Sequence, residues 1–345
     1  MRPSLSNRVV IATAGSGKTA RLIKEALTVN GRALIVTFTL ANQQQIIDRI
    51  RAQVGVIPSH ITVMGWFAFL LAHGARPYQR VITKEAGLIK GLNFKGARHR
   101  FTKRANFRSY YFDSRWDMYR DGVADFVYRA NNESDGAVVK RLERVFDYIF
   151  IDEVQDLAGY DLEILDLLFK ANLSVLAVGD PRQHTFETNK SNKYKKYRGP
   201  GFVQWVRERD GICVLEQRTE NYRSVQEICD FADSIYPEYR KSTSMVTDVT
   251  GHDGVFAIHR SKVPEYYEKY GPVVLRYNRR FQTEGLPATN IGVSKGSTYD
   301  RVLLFPTKPM RDFFTDRNPG NLGDHSRLYV AVTRARYSVA FVVDD

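Results

Sequence analysis

Two short stretches carry residues that could do chemistry. In the first, Ala12-Thr13-Ala14-Gly15-Ser16-Gly17-Lys18-Thr19, a β-branched run precedes the glycines and an amphipathic stretch follows the lysine. That is the context of a phosphate-binding loop of the Walker A type. Gly15 and Gly17 free the backbone to curl, so that N–H groups from Ala14, Ser16, Gly17 and their neighbours converge on phosphate at a helix N-terminus. Lys18 would neutralise the β- and γ-phosphates of a nucleotide, and the Thr19 hydroxyl would ligate Mg²⁺. Ala12 stands where the general pattern has glycine, and a glycine-rich turn with a capping threonine is the competing structural reading. In the second stretch, the apolar run Tyr148-Ile149-Phe150-Ile151 delivers Asp152 and Glu153. Asp152 would hold a hydrated metal and Glu153 would accept the proton of an attacking water. The alternative there is a solvated acidic loop capping a helix that begins near Leu157. Together the two stretches point to hydrolysis of a nucleoside triphosphate.

Such groups need a frame. Short β-branched runs at 8–13, 33–38, 61–64, 148–151 and 173–178 alternate with helical patterns such as Ala20–Leu27, the rhythm of a parallel sheet covered by helices. Ligands bind at the C-terminal ends of parallel strands, where both stretches fall. A second series of strands starts near Ile212 and includes 255–259, 273–276, 291–293, 302–305 and 339–342. The expected architecture is therefore α/β in two domains, 1–210 and 211–345. Between Gly74 and Lys140 the apolar rhythm weakens while aromatic and basic residues rise, which reads as an insertion into the first domain.

In this frame the motifs resemble, in order, those of superfamily 1 helicases of the UvrD, PcrA and Rep group. Asp152-Glu153-Val154-Gln155-Asp156 is similar to their motif II, and Ile35–Thr39 resembles the motif that touches the single strand. Val178–Gln183 is similar to motif III, and Glu216-Gln217 with Asn221–Ser224 is similar to motif IV. Ser294-Lys295-Gly296 with Tyr299-Asp300 resembles motif V, and Leu328–Ala335 resembles motif VI. The resemblance implies two RecA-like P-loop NTPase domains with parallel sheets, and ATP in the cleft between them. It also implies Gln183 as a γ-phosphate sensor, Tyr222 stacked on the base of the nucleotide, and Arg223 and Arg334 as arginine fingers. Thr37, Phe38 and Phe186 would touch the nucleic-acid strand.

Several positions depart from the family. The chain begins too close to its first strand to hold the upstream glutamine motif that reads adenine, so loose selectivity among NTPs is expected. Thr298 stands where a ribose-binding Glu is usual, Gly292 where a His is common, and Thr188 where motif III usually has Trp. Both family insertions are reduced, the second almost to nothing.

The balance of 51 Lys and Arg against 38 Asp and Glu gives a net charge of +13 and favours a polyanionic partner. Lys95, Arg98, Arg100, Lys103, Arg104 and Arg108 interleave with Phe94, Phe101, Phe107, Tyr110 and Tyr111. Cations that follow phosphates and rings that stack on bases suit a single strand; a solvated basic helix packed by its aromatics is the alternative. Lys190, Lys193, Lys195, Lys196 and Arg198, with Tyr194 and Tyr197, form a second basic run, whose alternative is a charged loop. The two cysteines provide neither a disulfide framework nor a metal cluster. No export or membrane segment is visible, so a cytoplasmic protein is expected.

The expected function is a single-stranded-DNA translocase and helicase of 3′-to-5′ polarity with ATP and Mg²⁺ as cofactors. It would act as a monomer, with RNA and a protein partner left open. The alternative is a nucleic-acid-binding ATPase switch that recruits a partner and does not unwind by itself.

Overall fold

The computed structural model describes residues 7–83, 88–99, 101–185, 187–189 and 191–345, so that Arg100, Phe186 and Lys190 lie outside the described residues. The chain folds into two compact units. The first comprises the chain up to Ile11, Lys18–Pro181 and the stretch ending at Glu216; the second comprises Ala12–Gly17, Arg182–Thr185 and Gln217–Asp345.

In the first unit the strands are β1 (Asn7–Ala12), β2 (Ala33–Thr37), β3 (Ile61–Gly65), β4 (Gly91–Asn93), β5 (Asp117–Tyr119), β6 (Tyr148–Ile151), β7 (Ser174–Gly179) and β8 (Cys213–Arg218). Six of them form one sheet in the order β3-β2-β6-β7-β1-β8. β2 is parallel to both β3 and β6, and β7 is parallel to both β6 and β1. Every residue of β2 is buried, as expected for a central strand covered on both faces. β8, counted by its sequence position with the second series, is instead the edge of this first sheet.

The chain from Val123 to Glu133 is a helix that packs on the helix Tyr160–Lys170 and on the helical turns at 66–75. Its inward residues Val123, Phe126, Val127 and Ala130 are buried, and Phe126 sits among the rings of Phe107, Tyr111 and Phe112. Much of the aromatic content of the 74–140 segment thus belongs to a core. The helix expected near Leu157 starts later, at Tyr160. Between them the chain makes a 3₁₀ turn over Val154–Asp156 and passes through Gly159 at φ 59°, where a right-handed helix cannot run.

The second unit contains β9 (Glu220–Asn221) paired with β10 (Thr243–Ser244), and β11 (Gly254–His259), β12 (Val273–Arg276), β13 (Ala288–Asn290), β14 (Tyr299–Phe305) and β15 (Ala335–Val343). The last five form a parallel sheet in the order β11-β15-β14-β12-β13. The strand expected at 291–293 lies just upstream, as β13. Ile291 is buried, but the Val293 N–H donates to the Asn290 carbonyl (2.9 Å) and the Ser294 hydroxyl donates to the Ile291 carbonyl (2.8 Å), which folds this stretch into a turn. Cys213 and Cys229 are buried free thiols, pushed up to about 11 and about 12 by burial, so neither is a reactive thiolate at neutral pH. Among the described residues, no helix is long and apolar enough to cross a membrane.

One close approach fixes how the 66–75 turns meet the 123–133 helix. A Cβ at Gly74 would fall 2.5 Å from Cγ1 of Val127. Gly74→Ala is expected to overpack this contact and lower unfolding free energy by about 1–3 kcal/mol. Chemical denaturation would read the change, and an unchanged midpoint would show that the contact is soft.

Candidate nucleotide site and nucleic-acid interface

The first unit brings Lys18, Thr19, Asp152, Glu153 and Gln155 to the ends of its central strands. Lys18 and Thr19 open the helix Lys18–Thr28, and Asp152 continues β6, its N–H donating to the Val36 carbonyl (2.9 Å). Thr19 donates its hydroxyl hydrogen to Asp152 Oδ2 (2.9 Å), and the Glu153 N–H donates to Asp152 Oδ1 (3.0 Å). Asp152 is 3% exposed. Burial pushes its carboxyl above the usual range and the neighbouring Glu153 charge adds to this, while Thr19 and Lys18 oppose it. Mg²⁺ takes one or two carboxylates and keeps several waters, so a hydroxyl and a carboxylate 2.9 Å apart fit that ion.

Glu153 adopts φ 56°, a left-handed conformation uncommon outside glycine. Strain of this kind persists where the surroundings over-determine it. Here the chain must leave β6, expose the Glu153 carboxylate and enter the 3₁₀ turn within two residues. Gln155 is fully buried; its amide donates to Glu153 Oε2 and its carbonyl accepts from the Asp180 N–H (3.0 Å). A Cβ at Gly179 would stand 2.3 Å from Gln155 Oε1, so the glycine of the motif III segment leaves room for the glutamine of motif II. Sequence reasoning passed over both Gln155 and Gly179 as site residues, although each lies inside a quoted motif.

The second unit contains Ala14, Gly15, Ser16 and Gly17 together with Gln183, Tyr222, Arg223 and Arg334. Gly15 and Gly17 have φ 77° and 75°, as the loop reading requires. The Gly15 carbonyl accepts from the Tyr222 N–H (2.9 Å), and a Cβ on Gly15 would fall 2.4 Å from Asn221 Oδ1 and 2.8 Å from Arg223 Cβ. Asn221 Oδ1 accepts from the N–H groups of Arg223 (2.7 Å) and Ser224 (2.9 Å) and so shapes the turn that carries Tyr222 and Arg223. The Tyr222 ring is 64% exposed. Arg223 donates to the Thr333 carbonyl (2.9 Å). Arg334 is only 1% exposed and donates to the carbonyls of Val330 (3.0 Å) and Ser297 (3.2 Å) and to Gln183 Oε1 (3.0 Å). The structure thus brings the motif III glutamine and the motif VI arginine together within this unit.

The nucleic-acid expectations change more. Thr37 and Phe38 are both buried, and Phe38 lies against Trp66 with ring centroids 6.1 Å apart; the exposed side chains of that segment belong to Thr39 and Leu40. Arg104 is engaged by the Asp125 carboxylate (2.8 Å) and the Tyr160 hydroxyl (2.9 Å), so its charge is already compensated. Lys103 is exposed. Tyr111 is fully buried and its hydroxyl donates to Asp125 (2.8 Å). The exposed rings are Phe94 and Phe101, at 57% and 78%.

The two basic runs, far apart in sequence, meet at Tyr160. Arg98 stands 3.9 Å from the Tyr110 centroid, Arg104 stands 5.8 Å from Tyr110 and 5.7 Å from Tyr160, and Lys193 stands 5.1 Å from Tyr160. Lys193 also lies over Tyr194, which packs on Tyr197 beneath Lys196. The result is one cluster of basic and aromatic side chains on the first unit, in which Lys193 is also paired with Glu163 (2.8 Å).

Because burial disfavours the charge on Asp152, the linkage sign is fixed. A raised folded-state pKa stabilises the fold while the group is protonated, and that contribution is lost as pH rises above the ordinary carboxylate range. Asp152→Asn is therefore expected to melt higher than the wild type at pH 8, with the difference shrinking toward pH 4. Equal melting temperatures at both pH values would show that the surrounding donors fully compensate the carboxylate.

Residues 82–193 match the UvrD-helicase family, described as the UvrD/REP helicase N-terminal domain. Arterivirus nonstructural protein 10 (helicase) has a similar fold at TM-score 0.50 and 18% identity, over 98% of this chain and 59% of that one. Its complex with DNA gives 0.51 and 17%, over 98% and 61%. This chain spans about three fifths of the length of those viral helicases. Among curated proteins, none matches it. Residues 82–193 are thus similar to the UvrD/REP helicase N-terminal domain, and the chain as a whole shares the fold of the arterivirus helicases.

Proposed function

We propose that this chain is an ATP-hydrolysing motor that moves along single-stranded nucleic acid and unwinds duplexes, with DNA as its first substrate and the 3′-to-5′ sense of the UvrD group. The carrying observation is the paired carboxylates at the end of β6, one bonded to the Thr19 hydroxyl and the other oriented by Gln155. Mg²⁺ held by Thr19 and Asp152 would neutralise charge on the β- and γ-phosphates. Lys18 binds those phosphates, and Glu153 accepts the proton of the attacking water. The exposed Tyr222 offers a stacking face for the base. Arg223 and Arg334 meet charge that develops on the γ-phosphoryl group, with Gln183 as the neighbour that senses it; arginine fingers contribute roughly 10³–10⁵ in rate.

On the strand side, Lys103 and Arg98 contact phosphates, while the solvent-exposed Phe94 and Phe101 stand beside them. Arg104 supports this surface through Asp125 and Tyr160. A second reading is favoured by one observation, the engagement of Arg334 by Gln183 and two carbonyls. A chain in which that arrangement persists would use ATP as a switch for a partner.

Steady-state ATP hydrolysis with and without single-stranded DNA tests the proposal. Strong stimulation is expected in the wild type, with hydrolysis abolished in Glu153→Gln although nucleotide binding persists, and reduced at least about a hundredfold in Arg223→Ala. Equal rates with and without strand would sink the motor reading, and stimulation without tracking or unwinding would leave the switch. Replacing Arg98 and Lys103 by Ala should flatten the salt dependence of strand binding by about one unit of slope per contact. An unchanged slope would remove these two contacts.

A further inference from the structure

Thr188, the residue that stands where motif III usually has tryptophan, is fully buried. Its N–H donates to the Asp156 carbonyl (3.1 Å), and its hydroxyl oxygen accepts from the Ala158 N–H (3.1 Å). The hydroxyl lies 2.6 Å from Asp161 Oδ2. Thr188 is thereby stitched to the segment that follows the hydrolysis carboxylates.

Asp161 is 1% exposed, in the first turn of the helix Tyr160–Lys170, and its other carboxylate oxygen accepts from the Trp66 indole N–H at 2.7 Å. Trp66 is itself fully buried and carries Phe38, the residue after β2, on its ring. One carboxylate therefore joins three stretches of the first unit that are distant in sequence: the Thr37–Phe38 segment through Trp66, the motif II turn through its own helix, and the chain after motif III through Thr188. A buried carboxylate is costly unless each oxygen has a donor, and here both do. Two strong bonds to groups on different segments make the distance between those segments hard to change, which is what transmission of a displacement requires.

We propose that Asp161 is a positioning residue that relays occupancy of the nucleic-acid surface to the hydrolysis carboxylates, with Trp66 and Thr188 as its two arms. The relay rests on the motor reading above and touches neither nucleotide nor strand. A displacement of Phe94, whose ring packs edge-on against Phe67 (5.6 Å), moves the adjoining Trp66, Asp161 follows through the indole bond, and the motif II turn follows through its helix and through Thr188. Loss of an arm uncouples stimulation from binding while each binding event persists.

The test uses the whole chain and three variants. Thr188→Val removes the hydroxyl at nearly constant shape, Trp66→Phe removes the indole N–H while keeping a ring, and Thr188→Ser restores the hydroxyl. For each, ATP hydrolysis is measured with and without a single-stranded oligonucleotide, together with strand affinity, KM for ATP and the melting temperature. Thr188→Val and Trp66→Phe are expected to lower the stimulation ratio about five- to tenfold, with basal rate, KM and strand affinity near wild type and with Thr188→Ser retaining stimulation. A residue that merely holds the fold would lower melting temperature and all activities together, and Thr188→Ser would not separate from Thr188→Val in coupling. Full stimulation in folded Thr188→Val and Trp66→Phe overturns the relay and leaves the motor intact. Absence of stimulation in the wild type overturns both.

Discussion

Two adjacent carboxylates at the buried end of β6 set the terms for their surroundings. Burial and mutual repulsion both resist the charged state, and only directed donors or cations can hold it. The Thr19 hydroxyl, the Lys18 charge, the Gln155 amide and the backbone N–H of Glu153 itself all answer that demand. The left-handed backbone at Glu153 follows from the same constraint. An extended continuation would carry the next carboxylate along the strand direction, whereas the turn at Glu153 sets it beside Gln155. The absent side chain at Gly179 is the counterpart, since Gln155 occupies the volume a methyl would need.

The second unit solves a different problem. Its loop residues Ala14 to Gly17 hold positive-φ glycines against Asn221 and Arg223, and Asn221 spends its carbonyl oxygen on two backbone N–H groups of that same turn. Local polar geometry therefore fixes where Tyr222 and Arg223 emerge. Arg334 is fixed more deeply, by the carbonyls of Val330 and Ser297 and by Gln183. A guanidinium with its donors so directed is held in one orientation, and any change in that orientation must be matched by Gln183.

Features written in contiguous residues were legible in the sequence. The glycine loop with its preceding strand, the Asp152-Glu153 pair after four apolar residues, and the alternation of strands and helices all depend on short-range pattern. Non-local pairing was not legible: nothing in Cys213–Arg218 says which sheet will accept it, and its strand joins the first. Exposure was equally hidden. Phe38 and Tyr111 look like any aromatic near a basic or polar segment, yet burial in an aromatic core removes them from a strand, and Arg104 is matched by an aspartate 21 residues further on. Thr188 departs from the family's tryptophan, and only the fold shows its hydroxyl beside Asp161. The helix start at Tyr160 turned on a single backbone angle at Gly159.

The cluster that runs from Arg98 to Lys196 carries the chain's own cations over its rings at Tyr110 and Tyr160. A ring with a cation over one face has less π-surface to offer a purine or a pyrimidine. A polymer lying along such a surface would be sensed more by the spacing of its negative groups than by its letters.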